Sequence, residues 1–99
     1  MIVRVVRMEF KTEHIDDFKN LFENKKEKIR TFPGCEYLEL IQGLDAHSNV
    51  FLTYSHWQTE KDLENYRYSE LFQATWKETK AMFSAKPSAI STHRLHKLS

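Results

Sequence analysis

Three stretches of this chain, residues 2–10, 35–42 and 49–57, have the alternation and the Val, Ile and aromatic content of β-strands, yet all three carry apolar side chains on both faces. In 2–10, Ile2, Arg4, Val6, Met8 and Phe10 share one face, and Val3, Val5, Arg7 and Glu9 the other. In 35–42, Tyr37 and Ile41 oppose Leu38 and Leu40. In 49–57, Val50, Leu52 and Tyr54 oppose Phe51 and Trp57. An antiparallel sheet with water on one side is polar on that side. These strands therefore have to be covered twice.

The segments between the strands supply one cover. Ile15, Phe18, Phe22, Ile29 and Phe32 recur at helical spacing, with Leu21 at the flank and Thr12 as the expected N-cap. Acids Glu13, Asp16 and Asp17 precede bases Lys25, Lys26, Lys28 and Arg30, an order that suits the helix dipole. Pro33-Gly34 ends this helix, because proline disfavours a helical conformation at Phe32. Residues 43–48 form a turn-rich link between the second and third strands. Thr59 opens a short helix, with Asp62 three residues on and Leu63 and Tyr66 sharing a face. Ser69 caps the next, whose apolar stripe is Phe72, Trp76, Thr79 and Phe83, and Pro87 marks its exit. Residues 89–98 read as a last strand, polar enough to be an edge or to line a cavity.

The order is β-α-β-β-α-β, with the second helix broken in two. That is the ferredoxin-like α+β plan: a four-stranded antiparallel sheet with helices on one face. The opposite face would still be apolar, each large residue offering ~100 Å² at about 25 cal/mol per Å². A second copy, sheet against sheet, covers it, so a homodimer is expected; the alternative is a monomer with an apolar ligand groove there.

At 99 residues the chain has room for one domain, 1–99, and one core. Net charge +1 makes no electrostatic case for nucleic acid or an anionic membrane, and the lysines of 25–28 read as a solvated helix face. No apolar run approaches the ~18 residues of a membrane helix. The opening MIVRVVRMEF is interrupted by Arg4 and Arg7, unlike a signal peptide, which makes the cytoplasm the expected address. Cys35, the one cysteine, forms no internal disulfide and reads as a small strand residue. Two glycines cannot assemble a nucleotide-binding fingerprint.

Among the chemically capable residues, His56 is the candidate base, because histidine titrates near ~6.5. Its neighbour Trp57 must point to the opposite face unless a bulge intervenes. Tyr66 is a candidate hydrogen-bond donor, Arg94 a partner for an anionic oxygen, and Trp57, Phe72 and Trp76 candidate aromatic walls. His93 and His96, three apart on a strand, face opposite sides, so no metal site is expected.

From Trp57 onwards the pattern WQTEKDLENYRYSELF, with Tyr66, Ser69 and Phe72 at fixed offsets, resembles the antibiotic biosynthesis monooxygenase (ABM) domain family. Phe18 and Pro33-Gly34-Cys35 extend the resemblance over roughly residues 2–98. It implies a dimeric α+β barrel of ferredoxin-like subunits, each with a pocket between sheet and helices. Several members are oxygenases without metal or flavin that oxidise phenolic or quinol-like polyketides, the substrate serving as its own electron source; a branch degrades haem. Trp57 matches the tryptophan ending the third strand. Tyr66 stands where many members have histidine and the haem branch tryptophan. Trp76 stands in place of that branch's haem-ligating histidine, and Val6 near its first-strand asparagine. Thr53 replaces an asparagine shared by the polyketide enzymes. The resemblance thus implies a cofactor-independent monooxygenase acting on a small aromatic, with His56 and Tyr66 as catalytic candidates and Trp57, Phe72, Trp76 and Arg94 as substrate contacts. The alternative is a non-catalytic ligand-binding or interaction dimer. An isomerase of a small lactone or sugar is a third reading, by analogy of fold alone.

Overall fold

The computed structural model describes all 99 residues. Strand β1 (Ile2–Glu9) leads through a 3-10 turn (Thr12–His14) into helix α1 (Ile15–Arg30). Strands β2 (Cys35–Gln42) and β3 (Val50–Trp57) follow, then helices α2 (Glu60–Arg67) and α3 (Glu70–Lys80), and strand β4 (Ser88–His93). The sheet is antiparallel in the order β2-β3-β1-β4. This is the ferredoxin-like layout expected from the order of elements.

The helices lie on one face of the sheet because that is where their apolar stripes meet its largest side chains. Phe18 and Ile29 of α1 are buried. Phe18 joins Met8, Phe10 and Phe51 in one core cluster, against which Ile15, Phe22, Trp76 and Phe83 pack. A second cluster, Cys35, Trp57 and Leu63, gathers Ile2, Phe32 and Tyr66. Between α1 and β2, Gly34 adopts φ +89°, and a Cβ there would collide with the side chain of Asp62. Glycine is needed for both reasons: the left-handed backbone and the close approach of α2.

The local caps divide. Thr59 accepts a hydrogen bond from the Asp62 amide at 3.1 Å, and Ser69 one from the Phe72 amide at 3.1 Å, as expected for two N-caps. Thr12 does not cap α1. It lies inside the 3-10 turn, and the helix begins beyond it, after His14, whose Nδ1 lies 2.9 Å from the Asp17 carboxylate. Phe83 falls beyond α3 and forms an isolated bridge with Phe10.

The last strand is shorter than expected, ending at His93 rather than reaching Leu98. It pairs only with β1, where His93 already stands opposite Ile2. There is no further strand for later residues to bond. Arg94 therefore lies outside the ladder.

A bulge between Cys35 and Tyr37 lets Cys35 pair with Trp57 while Tyr37 pairs with His56. Cys35 thereby points into the core and Tyr37 to the other side. That outer face holds Tyr37, Ile41, Tyr54 and Ile90, which are 40%, 44%, 36% and 60% exposed. No helix is long and apolar enough to cross a membrane.

Candidate functional site

A cavity of about 290 Å³ lies between the inner face of the sheet and the helices. Trp57, at the end of β3, forms part of its wall and is 1% exposed. Its register opposite Ile2 and Cys35 turns the indole inward, and Nε1 donates to Ser55 Oγ at 3.0 Å. Tyr66 comes from α2. Its ring stacks on Trp57 with centroids 4.8 Å apart and planes 25° from parallel. Phe32 and Phe72 meet Tyr66 edge-on at 5.3 and 5.2 Å. Phe72 in turn stacks on Trp76 at 5.8 Å.

Ser69 explains how residues from two short helices share one wall. Its hydroxyl accepts from the Phe72 amide and donates to the Tyr66 carbonyl at 2.6 Å. The chain is thus bent between α2 and α3 with Tyr66 and Phe72 both facing the cavity. The offsets Trp57, Tyr66, Ser69 and Phe72 are the linear trace of this corner.

Burial drives the Tyr66 phenol well above its ordinary pKa, so it stays protonated at neutral pH and is a hydrogen-bond donor, not a base. The Cys35 thiol is likewise pushed up by burial. No carboxylate and no imidazole lines the cavity. No group of three or more His, Cys, Asp or Glu side chains is placed to hold a metal ion.

Four of the residues singled out in the sequence, Trp57, Tyr66, Phe72 and Trp76, line this one cavity. His56 and Arg94 do not. Strand alternation turns His56 to the outer face, where it contacts the rings of Tyr37 and Tyr54 at 4.8 and 5.3 Å. Arg94 Nη2 donates to His56 Nδ1 at 3.2 Å. The imidazole is held below its ordinary pKa by burial and by the cations Arg94 and Lys97.

Sequence reasoning missed Arg4, Arg67 and Thr75, which also line the cavity. The sign of Arg4 was available: it is the one charged residue on the strand face shared by Ile2, Val6, Met8 and Phe10. Arg67, between Tyr66 and Tyr68, left no comparable sign, whereas Thr75, three residues from Phe72 and four from Thr79, lies on the apolar stripe of its helix.

The architecture defines a small α+β domain with an aromatic-walled cavity between sheet and helices. The chain belongs to the antibiotic biosynthesis monooxygenase family, whose model matches residues 1–78. The crystal structure of an antibiotic biosynthesis monooxygenase superposes with TM-score 0.88 at 19% identity, covering 97% of this chain and 100% of that one. A conserved protein of Methanosarcina mazei Go1 gives 0.86 at 19% identity, over 95% of this chain and 93% of that one. A mutant of SnoaB, a cofactor-independent oxygenase from Streptomyces nogalater, gives 0.86 at 13% identity, over 98% and 95%. At these identities the likeness is one of fold.

Proposed function

We propose that this protein is a cofactor-independent monooxygenase that oxidises a small phenolic or quinol-like aromatic in the cavity between sheet and helices. The observation that carries this reading is the continuous aromatic wall of Trp57, Tyr66, Phe72 and Trp76, with the Tyr66 hydroxyl held protonated and free of any protein hydrogen bond. Such a wall binds a flat ring and excludes water. An ionised phenol or quinol passes an electron to dioxygen, and carbon–oxygen bond formation follows. At a ring methylene, one atom of dioxygen becomes the new carbonyl oxygen. The other leaves as water with the two displaced hydrogens. Tyr66 donates to the developing oxyanion or peroxide. With no base in the wall, the substrate has to bind already ionised or lose its proton to water. His56 and Arg94, on the outer face, have no step in this scheme.

The working unit in this reading is a homodimer. One subunit leaves only 11 of 99 residues buried and Tyr37, Ile41, Tyr54 and Ile90 open on one face, and a second copy covers them by a two-fold contact.

The test is oxygen uptake with a panel of anthrones and quinols, with mass spectrometry of products formed under labelled dioxygen. Saturable uptake with one labelled oxygen in the product supports the proposal; no uptake across the panel defeats it. A non-catalytic ligand-binding dimer is the second reading. It is favoured by Thr53, which lines the cavity where the polyketide enzymes are similar in having asparagine. A panel compound that raises the melting temperature without consuming oxygen selects it.

A further inference from the structure

The aromatic lining of the cavity is interrupted by two arginines, half-buried Arg4 from β1 and exposed Arg67 from α2. Neither belongs to any of the three ion pairs in the protein. The one hydrogen bond from the Arg4 guanidinium goes to the neutral Ser91 Oγ at 3.0 Å. The residues facing Arg4 are Tyr66, kept as a neutral phenol, and Arg67, a second cation. Burial and the repulsion of Arg67 together disfavour the charge on Arg4. A partly buried arginine ordinarily has a carboxylate beside it, because the desolvated charge is otherwise uncompensated. Arg67 also borders a smaller neighbouring cavity with Glu60 and Glu64 but forms no ion pair with either.

A second polar group, beside the cavity but closed off from it, also lacks a partner. Thr75 Oγ1 is inaccessible to solvent and makes no hydrogen bond. Its helical neighbour Thr79 shows the usual arrangement, donating to the Thr75 carbonyl at 2.7 Å. Buried polar atoms are seldom left unpaired.

We infer that the ligand of this cavity is an aromatic acid, whose anionic oxygens take the place of the missing carboxylate beside Arg4, with Arg67 as a second cation at the exposed edge of the cavity. The inference rests on the cavity being the ligand site, as proposed above, and not on turnover. The planar guanidinium forks of Arg4 and Arg67 suit a carboxylate, which accepts two parallel N–H bonds. The same charge lowers the pKa of an acidic phenol bound beside it, which supplies the ionisation for which the cavity has no base.

Calorimetric titration with matched probes tests this. The probes are 2-naphthoate, 2-naphthyl phosphate and the neutral 2-naphthamide. Wild-type protein is expected to bind at least one of the two anions about tenfold or more tighter than the amide, the preference shrinking as salt is raised. Arg4→Gln is expected to remove that preference and leave amide binding within about twofold. A circular dichroism melt of the variant establishes that it folds. Should Arg4→Gln fail to fold, Ser91→Ala, which frees the guanidinium from its neutral partner, is expected to shift anion affinity and leave amide affinity unchanged. Equal binding of anions and amide by the wild type overturns the inference. So does an equal loss for anions and amide in Arg4→Gln, or no binding of any probe in the millimolar range. Anion preference without oxygen uptake upholds the inference and defeats the monooxygenase reading; uptake with neutral quinols alone does the reverse.

Discussion

The indole of Trp57 and the phenol ring of Tyr66 lie stacked, 4.8 Å apart, although one ends a strand and the other sits near the end of a helix. The contact joins the sheet to α2 and leaves the Tyr66 hydroxyl without a protein partner at the cavity. Tyr66→Phe keeps the stack and removes only that donor. It is expected to leave the melting temperature within a few degrees and to lower the rate of the proposed oxygenation about a hundredfold, the usual scale for losing one oxyanion donor. Steady-state oxygen uptake beside a thermal melt checks both halves.

Trp57→Ala removes a fully buried ring that packs on Cys35, Leu63 and Tyr66, and strips Ser55 Oγ of its indole donor. The expected loss is about 3–5 kcal/mol of stability, the range for large aromatic truncations in a core. Trp57→Phe retains part of the packing and is expected to lose less. Urea denaturation midpoints distinguish the two.

Gly34→Ala places a methyl group against Asp62 in a backbone region that alanine rarely adopts. It is expected to destabilise by about 1–3 kcal/mol, the scale of such strain. Gly43→Ala, where no positive φ is involved, collides with the Ser48 side chain and only touches the Val50 carbonyl at ordinary contact distance, and is expected to cost less. Chemical denaturation of the pair measures the difference.

Ile41→Glu is expected to break the proposed sheet-to-sheet dimer and leave the subunit folded, since Ile41 is 44% exposed in one subunit. Two-fold symmetry puts the new charge into the interface twice. The dimer dissociation constant is expected to rise about a hundredfold or more. Sedimentation equilibrium reads this directly. A wild-type protein that is monomeric at micromolar concentration would remove the dimer altogether.

The pH dependence of stability carries the signature of His56. Its folded-state pKa lies below the ordinary histidine value, chiefly from burial and then from Arg94 and Lys97, against an opposing pull from Glu39. The unfolded chain therefore takes up a proton more readily than the folded one. Stability is full above the ordinary value near ~6.5 and is lost as pH falls from there through the lower folded value. His56→Gln is expected to flatten that part of the profile. Urea midpoints from pH ~5 to ~7.5 for both proteins supply the comparison.

The order of elements and the inward or outward sense of most strand residues were legible in the linear chain. Alternation is a local property: Phe51 and Trp57 had to face away from Leu52 and Tyr54 whatever the strand paired with. The break at Ser69 was legible too, because its cap is made by residues three positions apart. Alternation also raised the conflict between His56 and Trp57 and left open whether a bulge resolves it. The bulge lies in β2, between Cys35 and Tyr37, so it moves neither of them.

What the sequence by itself determined, then, is each residue's local sense: strand or helix, one face or the other, capped or not, since these depend on neighbours within a few positions. Which distant residues meet depended on the fold. Strand register ended β4 at His93 and set Arg94 against His56. The packing of α2 and α3 brought Arg67 and Thr75 to the cavity that Arg4 enters from β1. Charge and hydrogen-bond satisfaction are sums over everything nearby in space. An uncompensated guanidinium or an orphaned hydroxyl is therefore visible only once the chain has closed around it.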